Sequence, residues 1–286
     1  MTSTDLHGLV ERYYLPVYRP RGIVLDHGLG SRLWDRDGRE YVDFGAGIAV
    51  NALGHAHPAL VAALTAQAGK LWHTSNVFVS EPPLRLAQAL VDAAGFADQA
   101  FFCNSGAEAN EAAIKLARQW AVATGQASRW KIISRFPSYH GGTIGALAVT
   151  GDLALTETFA PQIRDMPAIP APTAYRDRDN LSLEERGLRY ADMLDERILA
   201  EGPESVLGFI MEPIGGAATA ALVPPDSYFP RIREICDKYG ILLIHDEVMS
   251  GAGRTGRYLG GDHWNCRPDI ITMSKGIGSG YAPLGA

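Results

Sequence analysis

Lysine is scarce in this 286-residue chain, in which 5 lysines stand against 21 arginines. A residue that forms a Schiff base needs a primary amine that can lose its proton, and arginine cannot supply one. An amine nucleophile is therefore restricted to five positions, which are Lys70, Lys115, Lys131, Lys238 and Lys275.

Cysteines, long apolar runs and clustered basic residues are also lacking. Cys103, Cys236 and Cys266 are too few and too scattered for a disulfide framework, which favours a reducing, cytoplasmic location. No apolar run approaches the length of a membrane span, and the first residues lack the apolar core of a secretory signal. The net charge of −6 and the dispersed arginines argue against a nucleic-acid surface. We therefore expect a cytoplasmic enzyme with neither a membrane nor a nucleic acid as partner.

Several site motifs are absent or incomplete. The chain has no GxSxG serine elbow and no GxxxxGK[ST] phosphate loop. A GxGxxG pattern occurs at residues 251–256, but the following RYLGGDHWNCRPD predicts no helix, so we reject a dinucleotide site. The histidine pair at 55–57 and the pair His263 and Cys266 lack further ligands at metal-site spacing, so we expect no metal.

The pattern of apolar residues predicts an α/β fold. Residues 1–56 predict an N-terminal segment and part of a small domain, with a β-meander whose hairpin turns at Asp37-Gly38. Residues 57–286 predict a large domain with a mainly parallel sheet and helices on both faces. We predict helices at 57–70, 81–95, 106–122, 183–200 and 226–239, and strands at 99–104, 131–136, 206–212, 241–248 and 269–274.

Lys275 has a different sequence setting from the other four lysines. It follows the apolar run DIITM at the carboxyl end of a predicted strand, where open α/β sheets bind their ligands. The other lysines occupy positions typical of solvated helices or, for Lys131, the start of a strand. The alternative for Lys275 is an ordinary surface lysine in a loop.

A turn of small residues precedes the predicted helix at 106–122. Ser105 is placed to cap this helix, and Glu108 lies at the spacing of a capping box. The turn from Ser105 to Ala107 would leave free N–H groups at the positive end of a helix, which is an arrangement that binds phosphate. Helix capping without any ligand is the alternative.

Two adjacent acids, Asp246 and Glu247, end the predicted strand at 241–248. Consecutive strand residues point to opposite faces, so one acid could face a cofactor while the other turns towards a loop or a partner. An acidic strand end exposed to water is the alternative.

These segments together resemble one family, the class III, fold type I aminotransferases. The resemblance runs from about residue 13 to the last residue and is carried by NALGHAHP, FCNSGAEANEAAIKLAR, SYHGGT, MEP, DEVMSGAGRTG and PDIITMSKG. It implies a fold type I large domain, pyridoxal 5′-phosphate as cofactor, and a homodimer. The implied reaction moves an amino group from an amino acid or ω-amine donor to a 2-oxo acid such as 2-oxoglutarate or pyruvate.

The resemblance also implies roles for individual residues. Lys275 is then the Schiff-base lysine and the base that moves a proton, and Asp246 pairs with the pyridine nitrogen. Gly106 and Ala107 receive the phosphate, Tyr139 stacks on the ring, and Glu212 lies near the substrate path. The implied cofactor-binding set is Ser105, Gly106, Ala107, Tyr139, His140, Glu212, Asp246, Val248 and Lys275.

Substrate signals within the family are mixed. Residues up to about 118 are similar to acetylornithine and succinylornithine aminotransferases, whereas the second half is more similar to aminotransferases of ω-amino acids. The chain has Gly142 where the acetylornithine subgroup has an arginine expected to bind the substrate carboxylate, and Met249 where it has glutamine. Family members continue well beyond the lysine, so we expect the C-terminal part to be missing. A same-fold aminomutase or decarboxylase, or a truncated inactive fragment, remain alternatives.

Overall fold

A computed structural model describes residues 3–18 and 22–286. Residues 1–2 and 19–21 of the predicted N-terminal segment lie outside the described residues. The chain forms two compact units: the described residues up to Phe78 together with Ser279–Tyr281, and Val79–Gly278 together with Ala282–Ala286. This division does not coincide with the predicted boundary between residues 56 and 57, and assigning residues 57–78 to the large domain stays a prediction.

The first unit contains a small antiparallel sheet. Its elements are α1 (Ser3–Tyr13), β1 (Leu25–Leu29), β2 (Arg32–Asp35), β3 (Glu40–Val42), α2 (Ala46–Ala49) and α3 (Pro58–Ala68). β2 pairs antiparallel with both β1 and β3, which confirms the predicted meander. In the hairpin, the Asp35 carboxylate accepts hydrogen bonds from the N–H groups of Asp37 and Arg39, and Gly38 adopts a φ of 81°. The turn at Asp37-Gly38 is therefore where the sequence predicts it.

The turn α2 was not predicted, and its backbone is left-handed. Ala46, Gly47, Ile48 and Ala49 have φ values of 44°, 62°, 62° and 60°. Residues other than glycine rarely adopt this region, because the Cβ atom approaches the following carbonyl. The Asp43 carboxylate accepts hydrogen bonds from the first N–H groups of this turn.

The second unit contains a parallel sheet with the order β5-β4-β6-β7-β8 in the described part of the chain. Its elements are α4 (Glu81–Ala94), α5 (Gly106–Ala123), β4 (Lys131–Phe136), α6 (Ile144–Ala148), α7 (Leu153–Thr156), β5 (Ala168–Pro170), α8 (Leu183–Glu201), β6 (Val206–Met211), α9 (Tyr228–Tyr239), β7 (Leu242–Asp246) and β8 (Ile270–Thr272). The prediction of an α/β fold with a mainly parallel sheet is confirmed.

Helices cover both faces of this sheet because successive strand residues alternate between them. In β4, Ile133 packs with residues of α8 and α9, whereas its neighbour Ile132 packs with residues of α5. All six residues of β6 are buried. A strand covered on both faces is apolar at most of its positions. The apolar runs of the second unit could therefore be predicted to be strands.

Two strand predictions need correction. The predicted strand at 99–104 is wrong, because its pairing in the described structure is a single bridge between Cys103 and Gly285. A strand requires consecutive backbone pairs with a neighbour, and one bridge does not supply them. Conversely, β5 lies in the proline-containing segment 167–180, where the sequence predicts no strand. No helix in the described ranges is both long and apolar enough to cross a membrane.

Candidate active site

The carboxyl ends of neighbouring parallel strands bring the predicted site residues to one edge of the sheet. Glu212 directly follows β6, Asp246 is the last residue of β7, and Lys275 comes three residues after β8. Because these strands are parallel, their carboxyl ends meet at the same edge, which is where open α/β sheets bind ligands.

The Asp246 carboxylate at this edge is held by hydrogen bonds from three residues. It is buried, and its Oδ2 lies 2.7 Å from Asn110 Nδ2 and 2.8 Å from His140 Nδ1. Its Oδ1 accepts a hydrogen bond of 3.0 Å from the Val248 N–H. These three donors hold the buried carboxylate in one orientation and supply the hydrogen bonds that a buried polar group needs.

Asn110 and Thr272 belong to the same network, and sequence reasoning missed both. Asn110 lies on α5, and its Oδ1 accepts a hydrogen bond of 2.7 Å from Thr272 Oγ1. The signal that could have identified Asn110 is its spacing, because it lies four residues after Gly106 and thus on the same helix face. A buried asparagine on that face needs partners, and strand ends are the nearest source.

Asp246 and Glu247 face different surroundings, as the alternation of a strand predicts. The Glu247 carboxylate accepts hydrogen bonds from Ser250 Oγ at 2.5 Å and from the N–H groups of Gly260 and Gly261, both at 2.9 Å. Burial raises the pKa of Glu247. Glu247 thus holds the loop that follows β7 by hydrogen bonds. Asp246 is the acid that faces α5.

Lys275 is half-buried and has an unusual backbone conformation. Burial lowers the pKa of its amine, and the nearby carboxylates of Asp246 and Glu212 partly offset this effect. Its φ is 42°, in the left-handed region that non-glycine residues avoid. Backbone strain of this kind persists where surrounding structure enforces it, and it is common at functional sites. The lowered pKa increases the fraction of uncharged amine, which is the nucleophilic form.

The turn before α5 has the geometry of an anion-binding helix terminus. Ser105 Oγ accepts a hydrogen bond of 3.2 Å from the Glu108 N–H, so the predicted N-cap is confirmed. The reciprocal half of the capping box is wrong, because the Glu108 carboxylate accepts from the Asn104 N–H instead. The N–H groups of Gly106 and Ala107 come too early in the helix to have acceptors within it.

Close packing explains why the residue at position 106 is glycine. A Cβ atom at this position would lie 2.9 Å from both methyl groups of Val248 and 3.5 Å from Ser274 Cβ. Glycine therefore allows the start of α5 to approach the residue after Glu247 and the residue before Lys275. The turn, Val248 and Lys275 are thus brought together within one compact unit.

The loop that contains Tyr139 and His140 is held by α5 and by Glu212. Glu111, next to Asn110, accepts hydrogen bonds from Thr143 Oγ1 and from the N–H groups of Gly145 and Ala146. Glu212 is buried, which raises its pKa, and its carboxylate accepts from the Tyr139 N–H.

Tyr139 is partly exposed at this edge, whereas the His140 side chain is buried against Asp246. The His140 Nε2 atom has no hydrogen-bond partner among the described residues. A direct contact of His140 with a cofactor stays a prediction, because the contact that its ring makes in the structure is with the carboxylate.

Other candidates for a binding site or a reactive lysine lie away from this edge of the sheet. A cavity of about 560 Å³ opens between α4, α5 and β8, but none of the predicted site residues lines it. Lys131 and Lys238 form ion pairs with Glu201 and Asp195. Chemically, this edge of the sheet offers a helix start whose first N–H groups lack acceptors within the helix, a fixed carboxylate and an amine with lowered pKa.

Comparison with known proteins gives a consistent result. The sequence matches the family described as aminotransferase class-III over residues 14–286. It is 45% identical over 278 residues to an acetylornithine aminotransferase of Xylella fastidiosa, which covers 97% of this chain and 62% of that protein. It is 41% identical to an acetylornithine/succinyldiaminopimelate aminotransferase of Photorhabdus laumondii, over 96% of this chain and 62% of that protein.

Solved structures of the same kind are also similar. The fold matches a thermostable (S)-enantioselective ω-transaminase from Thermomicrobium roseum with a TM-score of 0.91 and 37% sequence identity. That match covers 100% of this chain and 65% of the other. The chain thus spans somewhat less than two thirds of the length of the proteins it matches.

Proposed function

Because the chain belongs to the class-III aminotransferase family, whose members depend on pyridoxal phosphate, we propose that it binds this cofactor at the edge described above. We propose further that it moves an amino group from an amino acid or ω-amine donor to a 2-oxo acid such as 2-oxoglutarate or pyruvate. The observation that carries the proposal is the convergence of a fixed Asp246 carboxylate with the lowered-pKa amine of Lys275.

The residues present fit the cofactor. Its phosphate needs N–H donors, and the first turn of α5 offers those of Gly106 and Ala107 beside the Ser105 cap. Its ring nitrogen needs a carboxylate, and Asp246 is held rigidly at a strand end. Its aldehyde needs a primary amine, which Lys275 supplies. The side chain of Val248 packs directly against Gly106 and leaves no room for a side chain at position 106.

Each residue would have a separate task. When bound, pyridoxal phosphate would supply an aldehyde carbon for covalent attachment and a ring that withdraws electrons from the substrate's Cα. Asp246 would keep the ring nitrogen protonated, and Tyr139 would lie against the ring face. Lys275 would hold the aldehyde carbon and then, freed by an incoming amine, move a proton at the substrate's Cα. The lowered pKa of Lys275 increases the fraction of its amine that is uncharged and can act as a base.

Two features favour ω-amines or ω-amino acids over acetylornithine as donors. Gly142 is exposed, and a Cβ atom at this position would meet nothing within 4 Å, so the loop beside Tyr139 offers open space and no guanidinium there. A Cβ atom at Gly216 would lie 2.8 Å from both Met249 Cγ and Glu212 Oε1, so Met249 presents an apolar side chain near Glu212 where the acetylornithine subgroup has glutamine. We therefore propose an amine donor that has no carboxylate in the place where acetylornithine would have one.

We propose that the active form is a homodimer. The first unit exposes a run of apolar side chains at residues 13–18, with Tyr18 84% exposed. Contiguous apolar surface of this kind is typical of protein interfaces. Sedimentation of the holoprotein tests the proposal, since a dimer mass is expected and a monomer mass would contradict it.

Amino transfer can be followed directly with an isotope-labelled amine donor. The proposed function predicts that the label appears in the amino acid formed from the 2-oxo acid acceptor. Lys275→Ala should abolish this transfer, whereas Lys115→Ala on the outer part of α5 should retain it. Loss of carbon dioxide from the donor, or migration of the amino group within one molecule, would instead identify a decarboxylase or an aminomutase.

The donor preference is tested at position 142. Gly142→Arg restores the charge found in the acetylornithine subgroup, so the ratio of acetylornithine to ω-amine turnover should rise. Gly142→Gln is the matched control, because it adds a polar side chain without charge. Equal ratios for both variants would contradict the proposed role of the open space.

A further inference from the structure

Asn110 occupies a position that connects several parts of the site. It lies one helical turn after Gly106 on α5 and is 1% exposed. Its Nδ2 lies 2.7 Å from both Asp246 Oδ2 and the His140 carbonyl oxygen, and its Oδ1 lies 2.7 Å from Thr272 Oγ1. The side chain thus uses both donor hydrogens and its acceptor.

These contacts fix which way the amide points. In the flipped orientation the amide oxygen would face two acceptors, the Asp246 carboxylate and the His140 carbonyl, and both contacts would be repulsive. The observed orientation satisfies every group, which a buried polar network requires. No other residue type offers this set at the same length: aspartate has no donor, glutamine is one methylene longer, and leucine has no polar atom.

The amide also determines which part of the Asp246 carboxylate is free. Oδ2 receives two hydrogen bonds, from Asn110 and His140, whereas Oδ1 receives one, from Val248. Each carboxylate oxygen can accept about two hydrogen bonds. The remaining acceptor position is therefore on Oδ1, on the oxygen that Asn110 does not touch.

The three partners of Asn110 belong to three different segments of the site. Asp246 ends β7, Thr272 ends β8 three residues before Lys275, and His140 follows Tyr139 in its loop. Asn110 itself lies on α5, and Gly106 lies in the first turn of the same helix. One amide therefore links the phosphate-binding turn, the fixed carboxylate, the lysine segment and the tyrosine loop.

We propose that Asn110, supported by Thr272, is a positioning residue that holds Asp246 and the flanking segments in the geometry that pyridoxal phosphate requires. The part of this inference that concerns the cofactor rests on the proposed function. The part that concerns the network is a property of the chain alone and can be tested without cofactor.

The cofactor part is tested with Asn110→Leu and Thr272→Val, which leave Asp246 in place. The dissociation constant of pyridoxal phosphate should rise roughly 10- to 100-fold in Asn110→Leu, since a hydrogen bond to a charged group is lost. Thr272→Val should change it in the same direction and by less. The NMR shift of an isotope-labelled ring nitrogen should move in both variants, because it reports the bond to Asp246.

Asn180→Leu, at an exposed loop position, is the matched control and should leave the dissociation constant and the nitrogen shift unchanged. A merely structural role would lower the unfolding midpoint of Asn110→Leu while leaving the nitrogen shift and cofactor affinity as in the parent chain. That outcome would overturn the proposal. A parent chain that binds no pyridoxal phosphate at all would contradict the proposed function instead.

The network part is tested in the cofactor-free protein with Asn110→Asp, Asp246→Asn and their combination. Asn110→Asp alone sets two carboxylates against each other, and Asp246→Asn removes that repulsion. The double variant should therefore unfold at a higher denaturant concentration than Asn110→Asp alone. Purely additive losses would show that the two side chains are not in contact and would overturn the inference.

Discussion

The two compact units differ sharply in how their apolar side chains are used. In the second unit, the strands and helices bury large residues completely, Phe209, Tyr228 and Phe229 among them. Among residues 5–18 and 22–78, none is buried, and Phe44 is 96% exposed. Both units are rich in apolar residues, so composition does not explain the difference.

This difference in packing indicates which unit can support chemistry. A catalytic carboxylate or amine must be held to within a fraction of an ångström, which requires neighbours locked by packing. All the residues proposed for the site lie in the second unit, between Ser105 and Lys275. The first unit shows its apolar surface in this chain, and we therefore propose for it a role in contacts with a second copy.

The largest expected effect compares one phenylalanine from each unit. Phe209 on β6 is 0% exposed, so Phe209→Ala should lower the free energy of unfolding by about 3 to 5 kcal/mol, through lost burial and a cavity. Phe44→Ala is the matched control and should change it by about 0.5 kcal/mol or less. Urea unfolding of both variants measures the two losses. Similar losses would contradict the difference between the two units, since they would show that Phe44 is buried in solution.

The next effect concerns acid sensitivity. Burial lowers the pKa of His245 to about 3, so the folded state keeps this ring neutral while the unfolded state takes up a proton below its ordinary pKa. The stabilisation is therefore present above a pH of about 6.5 and is lost as the pH falls towards 3, by up to about 1.4 kcal/mol per pH unit. Between pH 6.5 and 5 we expect a loss of roughly 2 kcal/mol from this residue.

His245→Asn should remove that part of the acid slope, as measured by urea unfolding at several pH values. His73→Asn, at an exposed position of the first unit, should leave the slope as it is in the parent chain. If the slopes of the two variants agree, His245 is accessible to protons in the folded state, and the contrast between the units is weaker than described.

The smallest effect compares two helices inside the second unit. Ser105 caps α5 through its side chain, so Ser105→Ala should cost about 1 kcal/mol in unfolding free energy. Ser80 precedes α4 without a side-chain cap bond, so Ser80→Ala should cost less. Thermal unfolding of the two variants gives the comparison, and a larger loss at Ser80 would contradict the assigned caps.

Much of the second unit could be predicted from the sequence because local and tertiary signals agree there. The strands at 131–136, 206–211 and 242–246 are apolar runs bounded by polar residues, and burial on both faces demands that pattern. Helix α5 follows a serine cap and begins where the sequence predicts. Asp246 ends a strand, Gly106 starts a helix and Lys275 follows a strand, as predicted, because strand ends and helix starts are marked in the sequence.

The features that could not be predicted from the sequence depend on contacts between distant residues or on local backbone conformation. Asn110 and Thr272 are 162 positions apart, and no local pattern shows that their side chains meet. The segment 99–104 is apolar like a strand, yet strand formation depends on a pairing partner that the sequence does not reveal. The left-handed turn at 46–49 contains alanine and isoleucine, which gave no signal for positive φ.

We propose that Lys275 is the lysine that carries the cofactor, and the scarcity of lysine makes this directly measurable. The protein is incubated with pyridoxal phosphate, reduced with borohydride, digested, and analysed by mass spectrometry. We expect the pyridoxyl label on the peptide that contains Lys275, and no stoichiometric label on Lys70, Lys115, Lys131 or Lys238. Stoichiometric label on one of those four, or equal labelling of all five, would contradict this role of Lys275.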